Sequence, residues 1–522
     1  MSSSPTPVNQ SQGRGLWRST FIVSAMTLLS RIAGLVRDMV YMNLFGAGGL
    51  MDAFLVAFKI PNFLRRLFAE GAFSQAFVPV LSEVRTQRGD SEVRRLIDHV
   101  AGSLTVVLGG ISVVAIVFSP AIIFLFAPGF RGDELKFDLA SDMLRITFPY
   151  LLLISLTAFA GGILNTYGRF GASSFTPVLM NLVMIGTAIW LAPMLTQPVV
   201  ALAWGVLIAG IVQLGFQWWP LRQINLVPRL RPDFKDPDVR RVLSLMVPAM
   251  FGVSVSQINL LLDTVLASFL VTGSVSWLYT AERLTELPLG LIGIAVATVI
   301  LPTLSAKHAQ KSDDEFRSTI DWALKVIVMV GVPASLAMGI LAEPLLASLF
   351  HHGRFDSQDV VKSAMALQAL SGGILAFMLI KVFAPAFYAR QDTKTPVRIG
   401  IIAMVANMGF NLILVWHLAH VGLSLASTLS AFLNAGLLYR GLHQKGVYRL
   451  ERHWLKLSLR FAAANIVMVC VLLWITPDTA WWLAGQGWSR VGWVLLICAA
   501  GASAYGVALL AVGFRPREIR HP

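Results

Sequence analysis

Charged side chains interrupt otherwise apolar stretches of this sequence, most densely in residues 51–77, which read MDAFLVAFKIPNFLRRLFAEGAFSQAF. The charged residues in this stretch are Asp52, Lys59, Arg65, Arg66 and Glu70. All of them except Arg65 recur at a helical spacing and share one face of a predicted α-helix. A charge at the centre of a bilayer costs roughly 3 kcal/mol on insertion scales. This face must therefore contact other charges or water rather than lipid.

Three further apolar segments carry charges of the same kind, namely Arg31, Arg37 and Asp38, then Asp263, then Glu282, Arg283 and Glu286. Arg283 and Glu286 are three residues apart and can pair on one helix face. Among the cations of all these segments only Lys59 is not an arginine. The planar guanidinium fork binds phosphate oxygens in pairs. The pattern therefore predicts a hydrated cavity that binds an anionic, phosphate-containing substrate.

A purely structural interpretation of these charges competes with the cavity. The charges of residues 51–77 and those of the three further segments together amount to six cations and six acids. Ion pairs between neighbouring helices would also require such equal numbers. A buried ion pair, however, often stabilises a protein no more than a packed apolar pair does. Membrane helices associate through small residues without needing charges. We therefore favour the cavity, and the ion-pair interpretation stays as the alternative.

The composition identifies a polytopic membrane protein, because 56% of the 522 residues are hydrophobic and only 13% are charged, against about 25% in soluble proteins. A span needs about 20 mostly apolar residues. The runs are long and continuous, so we expect an all-α protein rather than a barrel. The fourteen predicted transmembrane helices cover residues 20–42, 50–78, 97–126, 140–165, 175–191, 201–220, 243–269, 277–302, 320–349, 362–388, 399–416, 422–439, 461–476 and 491–513.

The distribution of lysine and arginine predicts the orientation. Most of the 42 basic residues fall in the loops and tails on the side of the N-terminus, and only Arg131, Lys136, Arg354 and Arg490 fall in loops on the other side. By the positive-inside rule both termini are cytoplasmic. The same distribution accounts for most of the net charge of +14 without a nucleic-acid partner.

Two short patterns repeat at nearly equal distances along the chain. FVPVLS (77–82) and ILPTLS (300–305) place their prolines 223 residues apart, and the prolines of YGRFGASSFTPV (167–178) and YARQDTKTPV (388–397) are 219 residues apart. This predicts two six-helix lobes related by a pseudo-two-fold axis along the membrane normal, with a substrate site where the lobes meet. The expected division is a disordered tail over 1–16, an N-lobe over 17–222, a C-lobe over 223–442, two extra C-terminal helices within 443–513, and a tail over 514–522.

Four motifs resemble those of the MurJ (MviN) lipid II flippases of bacteria, members of the multidrug/oligosaccharidyl-lipid/polysaccharide exporter superfamily. The motifs are SRIAGLVRD (30–38), DAFLVAFKIPNFLRRLFAEGAFSQAFVP (52–79), GVSVSQINLLLDT (252–264) and SWLYTAERLTELPLG (276–290). The resemblance implies a transporter rather than an enzyme. It implies that lipid II, an undecaprenyl-pyrophosphate-linked disaccharide-pentapeptide, moves by alternating access to the periplasmic leaflet of the inner membrane for peptidoglycan synthesis.

The resemblance also implies roles for particular residues. The implied substrate-binding residues are Arg31, Arg37, Asp52, Lys59, Arg65, Glu282, Arg283 and Glu286, and the arginines among them would bind the pyrophosphate. Another set, Asp263, Asn407, Asn411 and Thr428, matches a cation site seen in some members. We expect no cofactor. Na⁺ or the membrane potential is the candidate driving force, and the last two helices would contact the prenyl chain.

Other functions make different demands on the sequence. A drug exporter of the same superfamily would need a cavity rich in acids and aromatic residues. A scaffold that recruits cell-wall synthesis proteins would need long loops or tails, and the loops here are short. An exporter of another polyprenyl-linked oligosaccharide differs only in its sugar, so the residues alone leave it open.

Overall fold

The computed structural model describes residues 10–67, 73–290, 294–484, 488–515 and 518. Within these ranges all regular secondary structure is helical, and there is no strand. The helices are α1 (Gln10–Phe45), α2 (Gly49–Arg65), α3 (Ser74–Gln87), α4 (Asp90–Val117), α5 (Ser119–Phe126), α6 (Glu134–Thr147), α7 (Tyr150–Thr166), α8 (Phe170–Gly186), α9 (Val200–Gln223), α10 (Pro237–Ser268), α11 (Ser274–Pro288), α12 (Ile294–Ala309), α13 (Asp313–Ile340), α14 (Ala342–Leu349), α15 (Ser357–Ser371), α16 (Ile374–Tyr388), α17 (Lys394–Gln444), α18 (His453–Ile475), α19 (Thr479–Ala484) and α20 (Trp488–Ala511).

Many of these helices are long and apolar enough to cross a bilayer. Within the described residues, nine helical segments meet both criteria. All fourteen predicted spans overlap one helix or two consecutive helices. The all-α membrane fold is therefore confirmed, and the count of fourteen crossings stays a prediction.

The internal repeat is visible in the helix lengths. Helices α4 and α13 each have 28 residues, and α5 and α14 each have 8. The first residues of these pairs, and those of α6 and α15, are 223 residues apart. The two repeated loop patterns also coincide with helix junctions, from α7 to α8 and from α16 to α17. The predicted repeat is confirmed at the level of secondary structure.

The chain divides into two compact units. Unit 1 contains residues 1–41, 53–126 and 131–257, and unit 2 contains 42–52, 127–130 and 258–522. The boundary falls within α10, whereas the sequence-based division falls at 222/223. The first turns of α10 bury Val239, Val242 and Met246 in an apolar cluster with residues of α3 and α4, which attaches them to unit 1.

One further detail differs from the sequence-based expectations. Helix α1 begins at Gln10, so residues 10–16 are helical rather than part of a disordered tail. No proline occurs after Pro7 until the next helix, which lets α1 extend that far. Spans 11 and 12 lie on either side of a break within α17 at Ala419, where φ is 50° and ψ is −130°, so the predicted division between these two spans is confirmed.

The α16–α17 junction, which belongs to the second repeated loop, is fixed by one carboxylate. Asp392 accepts hydrogen bonds from the backbone amide and hydroxyl of Thr395, at 3.1 and 2.7 Å, and it pairs with Lys445. The hydrogen bond from Lys445 is the main cause that lowers the pKa of Asp392 to about 2. The start of α17 is thereby tied to its end at neutral pH.

Candidate functional site

The charged face of α1 is held by a buried network in unit 1. Arg37 is 5% exposed and donates to Oδ1 of Asp38 through Nε (3.0 Å) and through a terminal nitrogen (2.7 Å). Its other terminal nitrogen donates to Oδ1 of Asn181 on α8 at 3.1 Å. The Asn181 amide in turn donates to the carbonyl of Ser30, the residue directly before Arg31. In this conformation, Arg37 therefore joins α1 to α8.

The other predicted cations of unit 1 are only half buried. Arg31, Lys59 and Arg65 all keep part of their side chains accessible. Arg65 is oriented by Asn62, whose side-chain oxygen accepts from its Nε at 2.9 Å. These three cations retain the access that a phosphate ligand needs, and Arg37 does not. Glu70, which the helical spacing places on the same face as Asp52 and Lys59, lies outside the described residues.

Asp52 lies at the amino-terminal end of α11 in unit 2, where it is 1% exposed. One of its oxygens accepts from the backbone amide of Gly273 at 2.7 Å, and the other accepts from the amide and the hydroxyl of Ser276, at 2.9 and 2.6 Å. Unsatisfied amides and the positive end of the helix dipole both favour a carboxylate there. The geometry makes Asp52 a cap that fixes the start of α11.

A second acid that the sequence does not single out supports the same helix. Asp359 accepts from the indole nitrogen of Trp277 on α11 at 2.8 Å and from the amide of Ala47 at 3.4 Å. Gly273 has φ of 98°, and a side chain there would approach the carbonyl of Ala47 to 2.9 Å. Only glycine fits this close approach. Asp359 also forms a capping box with Asp356 at the start of α15, and that local pattern marks a helix start without revealing the contact with Trp277.

The functional charges expected on α11 lie where the helical spacing predicts. Arg283 donates to Glu286 at 2.9 Å, so the predicted i, i+3 pair is confirmed. The Arg283 side chain is 29% exposed and that of Glu286 is 49% exposed. Glu282 is half buried. Since Asp52 and Asp359 fix the start of α11, they also fix where this charged group stands.

The residues of the possible cation site lie on α10 and α17 of unit 2, where Asp263 and Asn411 are in contact. The amide of Asn411 donates to Asp263 at 2.7 Å, while the side-chain oxygens of Asn411 and Asn407 are buried without a hydrogen-bond partner among the described residues. Thr428 donates to the carbonyl of Ala369 at 2.7 Å. One carboxylate and orphaned amide oxygens are the ligands that hard cations prefer. Asp263, Asn407 and Asn411 therefore fit a cation, whereas the Thr428 hydroxyl is already bonded elsewhere.

Arg490 is buried, which its position in the sequence did not predict. The sequence assigns it to an outer loop, but it is 3% exposed at the start of α20. It donates to the carbonyl of Ala347 at 3.1 Å and to Nδ1 of His351 at 2.9 Å. Burial, followed by the charge of Arg490, lowers the pKa of His351, so that its neutral ring accepts this bond. Arg490 ties α20 to the end of α14.

Taken unit by unit, the fold and these charges define a class of protein. Helices long enough to span a bilayer carry arginines and acids in half-buried and buried positions, and the helix order repeats once. Ionisable groups placed in this way mark the substrate or ion pathway of a membrane transporter.

The sequence comparisons assign this transporter to a family. Residues 41–486 match the family described as "Lipid II flippase MurJ". A "Probable lipid II flippase MurJ" of Vibrio cholerae is 49% identical over 97% of this chain and 98% of its own length. The Haemophilus influenzae protein of the same description is 47% identical over 95% of this chain and 99% of its own length. The chain belongs to the MurJ family of lipid II flippases.

The solved structures agree with this assignment. One described as "Lipid II flippase MurJ, inward closed conformation" has a TM-score of 0.78 and 26% identity, and it covers 94% of this chain and 100% of that chain. An inward-facing multidrug resistance MATE family transporter of the MOP superfamily has a TM-score of 0.66 and 16% identity, covering 82% of this chain and 98% of that chain. The second likeness concerns the fold alone.

Proposed function

We propose that this chain moves lipid II from the cytoplasmic to the periplasmic leaflet of the bacterial inner membrane, with both of its termini in the cytoplasm. The family match over residues 41–486 carries the proposal. The half-buried arginines within apolar helices support it, because a pyrophosphate that crosses a membrane needs cations along its path. Other candidates are an exporter of a different polyprenyl-linked oligosaccharide and a drug exporter of the same superfamily.

The pyrophosphate binds Arg31, Arg65 and Arg283 in this proposal, with Lys59 as a further cation. These side chains keep partial access to ligand, and Asn62 and Glu286 hold two of them in place. Arg37 acts indirectly, since its guanidinium already bonds Asp38 and Asn181. When phosphate approaches Arg283, it competes with Glu286 and releases that carboxylate.

Transport follows if substrate binding changes the relative free energies of the inward-facing and outward-facing states. A ligand shifts such an equilibrium only by its difference in affinity for the two states. Pyrophosphate supplies that difference, because its attraction to these cations is stronger in a closed, dehydrated pathway than in an open, hydrated one. The return step uses a cation or the membrane potential, where one elementary charge is worth about 2.3 kcal/mol per 100 mV.

Neutralising Arg283 tests the binding role. We expect Arg283→Gln to slow lipid II transport in proteoliposomes by about tenfold or more, because a hydrogen bond to a charged group is worth about 1.5–3 kcal/mol. The unfolding temperature should stay close to that of the unmodified protein, since the side chain is partly exposed.

A matched control for Arg283→Gln is Arg145→Gln. Arg145 forms the same i, i+3 contact, 2.7 Å to Asp142, on α6. Transport by the control should be unchanged. Equal transport by both variants and the unmodified protein would exclude Arg283 from pyrophosphate binding, and equal losses in both would point to a non-specific effect of charge.

Sodium binding at Asp263, Asn407 and Asn411 is the second proposal that can be tested. A cation bound to the folded state alone stabilises it by about 2.7 kcal/mol at a hundredfold excess over Kd. We therefore expect NaCl to raise the unfolding temperature above that in choline chloride at equal ionic strength.

Asp263→Asn should remove this sodium effect, because it takes away the carboxylate that attracts the cation. Asp142→Asn, which neutralises an exposed acid on α6, should retain it. If sodium and choline gave the same unfolding temperature for the unmodified protein, the membrane potential would be left as the driving force.

A further inference from the structure

Unit 1 contains an apolar pocket that the proposed transport path does not use. It lies among α3, α4 and the first turns of α10, and its cavity volume is about 160 Å³. This is below the range of about 300–1,000 Å³ typical of pockets that enclose a whole ligand, so the pocket fits one slender segment of a larger molecule. Val107, Leu243 and Val247 line it and are themselves exposed, so the pocket opens on an apolar surface.

One polar group lines this pocket without a partner. Ser103 on α4 is 3% exposed, and its hydroxyl has no hydrogen-bond partner within the part of the chain that the structure describes. A buried hydroxyl without a partner costs about 1–3 kcal/mol. A ligand that fits here should therefore be mostly apolar and should also carry a hydrogen-bond acceptor.

The mouth of the pocket lies beside a basic loop, residues 224–236, that packs against α4. Asp98 on α4 accepts from the amide of Arg229 at 2.7 Å, and a side chain at Gly102 would collide with the backbone of Arg231 at 2.5 Å. The loop therefore runs directly against α4. It includes Phe234, whose side chain lines the pocket and whose carbonyl accepts from Nε of Arg240 at 3.1 Å.

The cations at this mouth are accessible to a ligand, and the neighbouring acids already contact other basic side chains. Asp236 contacts His99 at 2.9 Å and Arg95 at 3.2 Å, and Asp233 lies 3.9 Å from His99. Lys235 and Arg240 are exposed, and neither forms an ion pair with any described residue. An apolar cavity with a buried donor and cations at its mouth matches the parts of an anionic lipid.

We propose that this pocket binds one acyl chain of an anionic phospholipid from the leaflet that faces the basic loops. Ser103 donates to an ester carbonyl of the lipid, and Lys235 and Arg240 bind its phosphate. The site involves none of the residues assigned to pyrophosphate, so it stands whether or not the chain transports lipid II.

Lipid retention measured by native mass spectrometry in detergent tests the site. The probes are phosphatidylglycerol and phosphatidylcholine with identical acyl chains. We expect phosphatidylglycerol to bind more tightly. Leu104→Trp, which fills the pocket from α4, should weaken its binding about tenfold, as expected if two methylene groups are excluded. Val113→Trp, on the exposed side of α4, should have no effect.

The charge contribution is tested separately by Lys235→Gln/Arg240→Gln, which leaves the pocket intact and, being at the surface, should not disturb folding. It should remove most of the preference for phosphatidylglycerol, since each cation near a membrane surface is worth about a fivefold change in binding. Arg398→Gln, which neutralises an exposed cation of unit 2, should keep that preference.

Equal retention of both lipids by the unmodified protein, or unchanged lipid binding in Leu104→Trp, would overturn the proposal. So would tighter binding of undecaprenyl phosphate at this site, or a dimer that covers it.

Discussion

Replacing Asp52 with alanine is expected to destabilise the protein by about 3 kcal/mol or more and to abolish lipid II transport with it. The carboxylate is 1% exposed and accepts three hydrogen bonds at the start of α11. Alanine would leave the amides of Gly273 and Ser276 buried without this acceptor, and each unsatisfied amide costs about 1–3 kcal/mol. The measurement is thermal unfolding of the purified protein in detergent, with and without lipid II.

Two variants separate this structural role from direct substrate contact. Asp52→Asn keeps one acceptor oxygen, but its NH₂ group faces backbone amides of α11 that are themselves donors. Its stability should therefore lie between that of the unmodified protein and that of Asp52→Ala. Glu134→Ala, which removes an exposed acid from the first turn of α6, should change little. If Asp52→Ala unfolded like the unmodified protein and yet failed to transport, Asp52 would instead be the substrate contact that the family resemblance implies.

Arg37→Ala is expected to cost about 3–5 kcal/mol, because it removes one partner of a buried ion pair and leaves a carboxylate in an apolar environment. Asp38 is 1% exposed, and Arg37 donates two hydrogen bonds to it. The double variant Arg37→Met/Asp38→Leu should recover more than half of that loss, because apolar residues of similar volume replace a buried pair well. Thermal unfolding and protease resistance measure both variants.

Transport by the double variant then decides the role of Arg37. A stable double variant that still moves lipid II at a substantial rate would identify Arg37 as a positioning residue. A stable double variant without transport, in contrast to the Arg145→Gln control, would identify Arg37 as a pyrophosphate ligand that leaves Asp38 when substrate binds. Failure of the double variant to regain stability would contradict the ion-pair account of its burial.

The sequence by itself determined the features that depend on neighbouring residues. Continuous apolar runs predicted the helices, since a backbone in lipid must satisfy its own hydrogen bonds. The 223-residue distance between Pro79 and Pro302 predicted the repeat that the helix lengths confirm. The pairing of Arg283 with Glu286 followed from their helical spacing alone. The sequence also places most lysines and arginines in the loops on one side of the membrane, because charges within the membrane are costly.

Only the tertiary structure decided which of the membrane charges are engaged and with what. Asp52 meets Gly273 and Ser276 across more than 220 residues of chain, and Arg37 meets Asn181 across 144. Such partners carry no periodic signal, so sequence reasoning grouped Asp52 and Arg37 with the more accessible Arg31 and Arg283. It likewise left Arg490 in a loop, although packing buries it against the carbonyl of Ala347. Burial and the direction of a hydrogen bond depend on which helices pack together, and packing is a property of the whole fold.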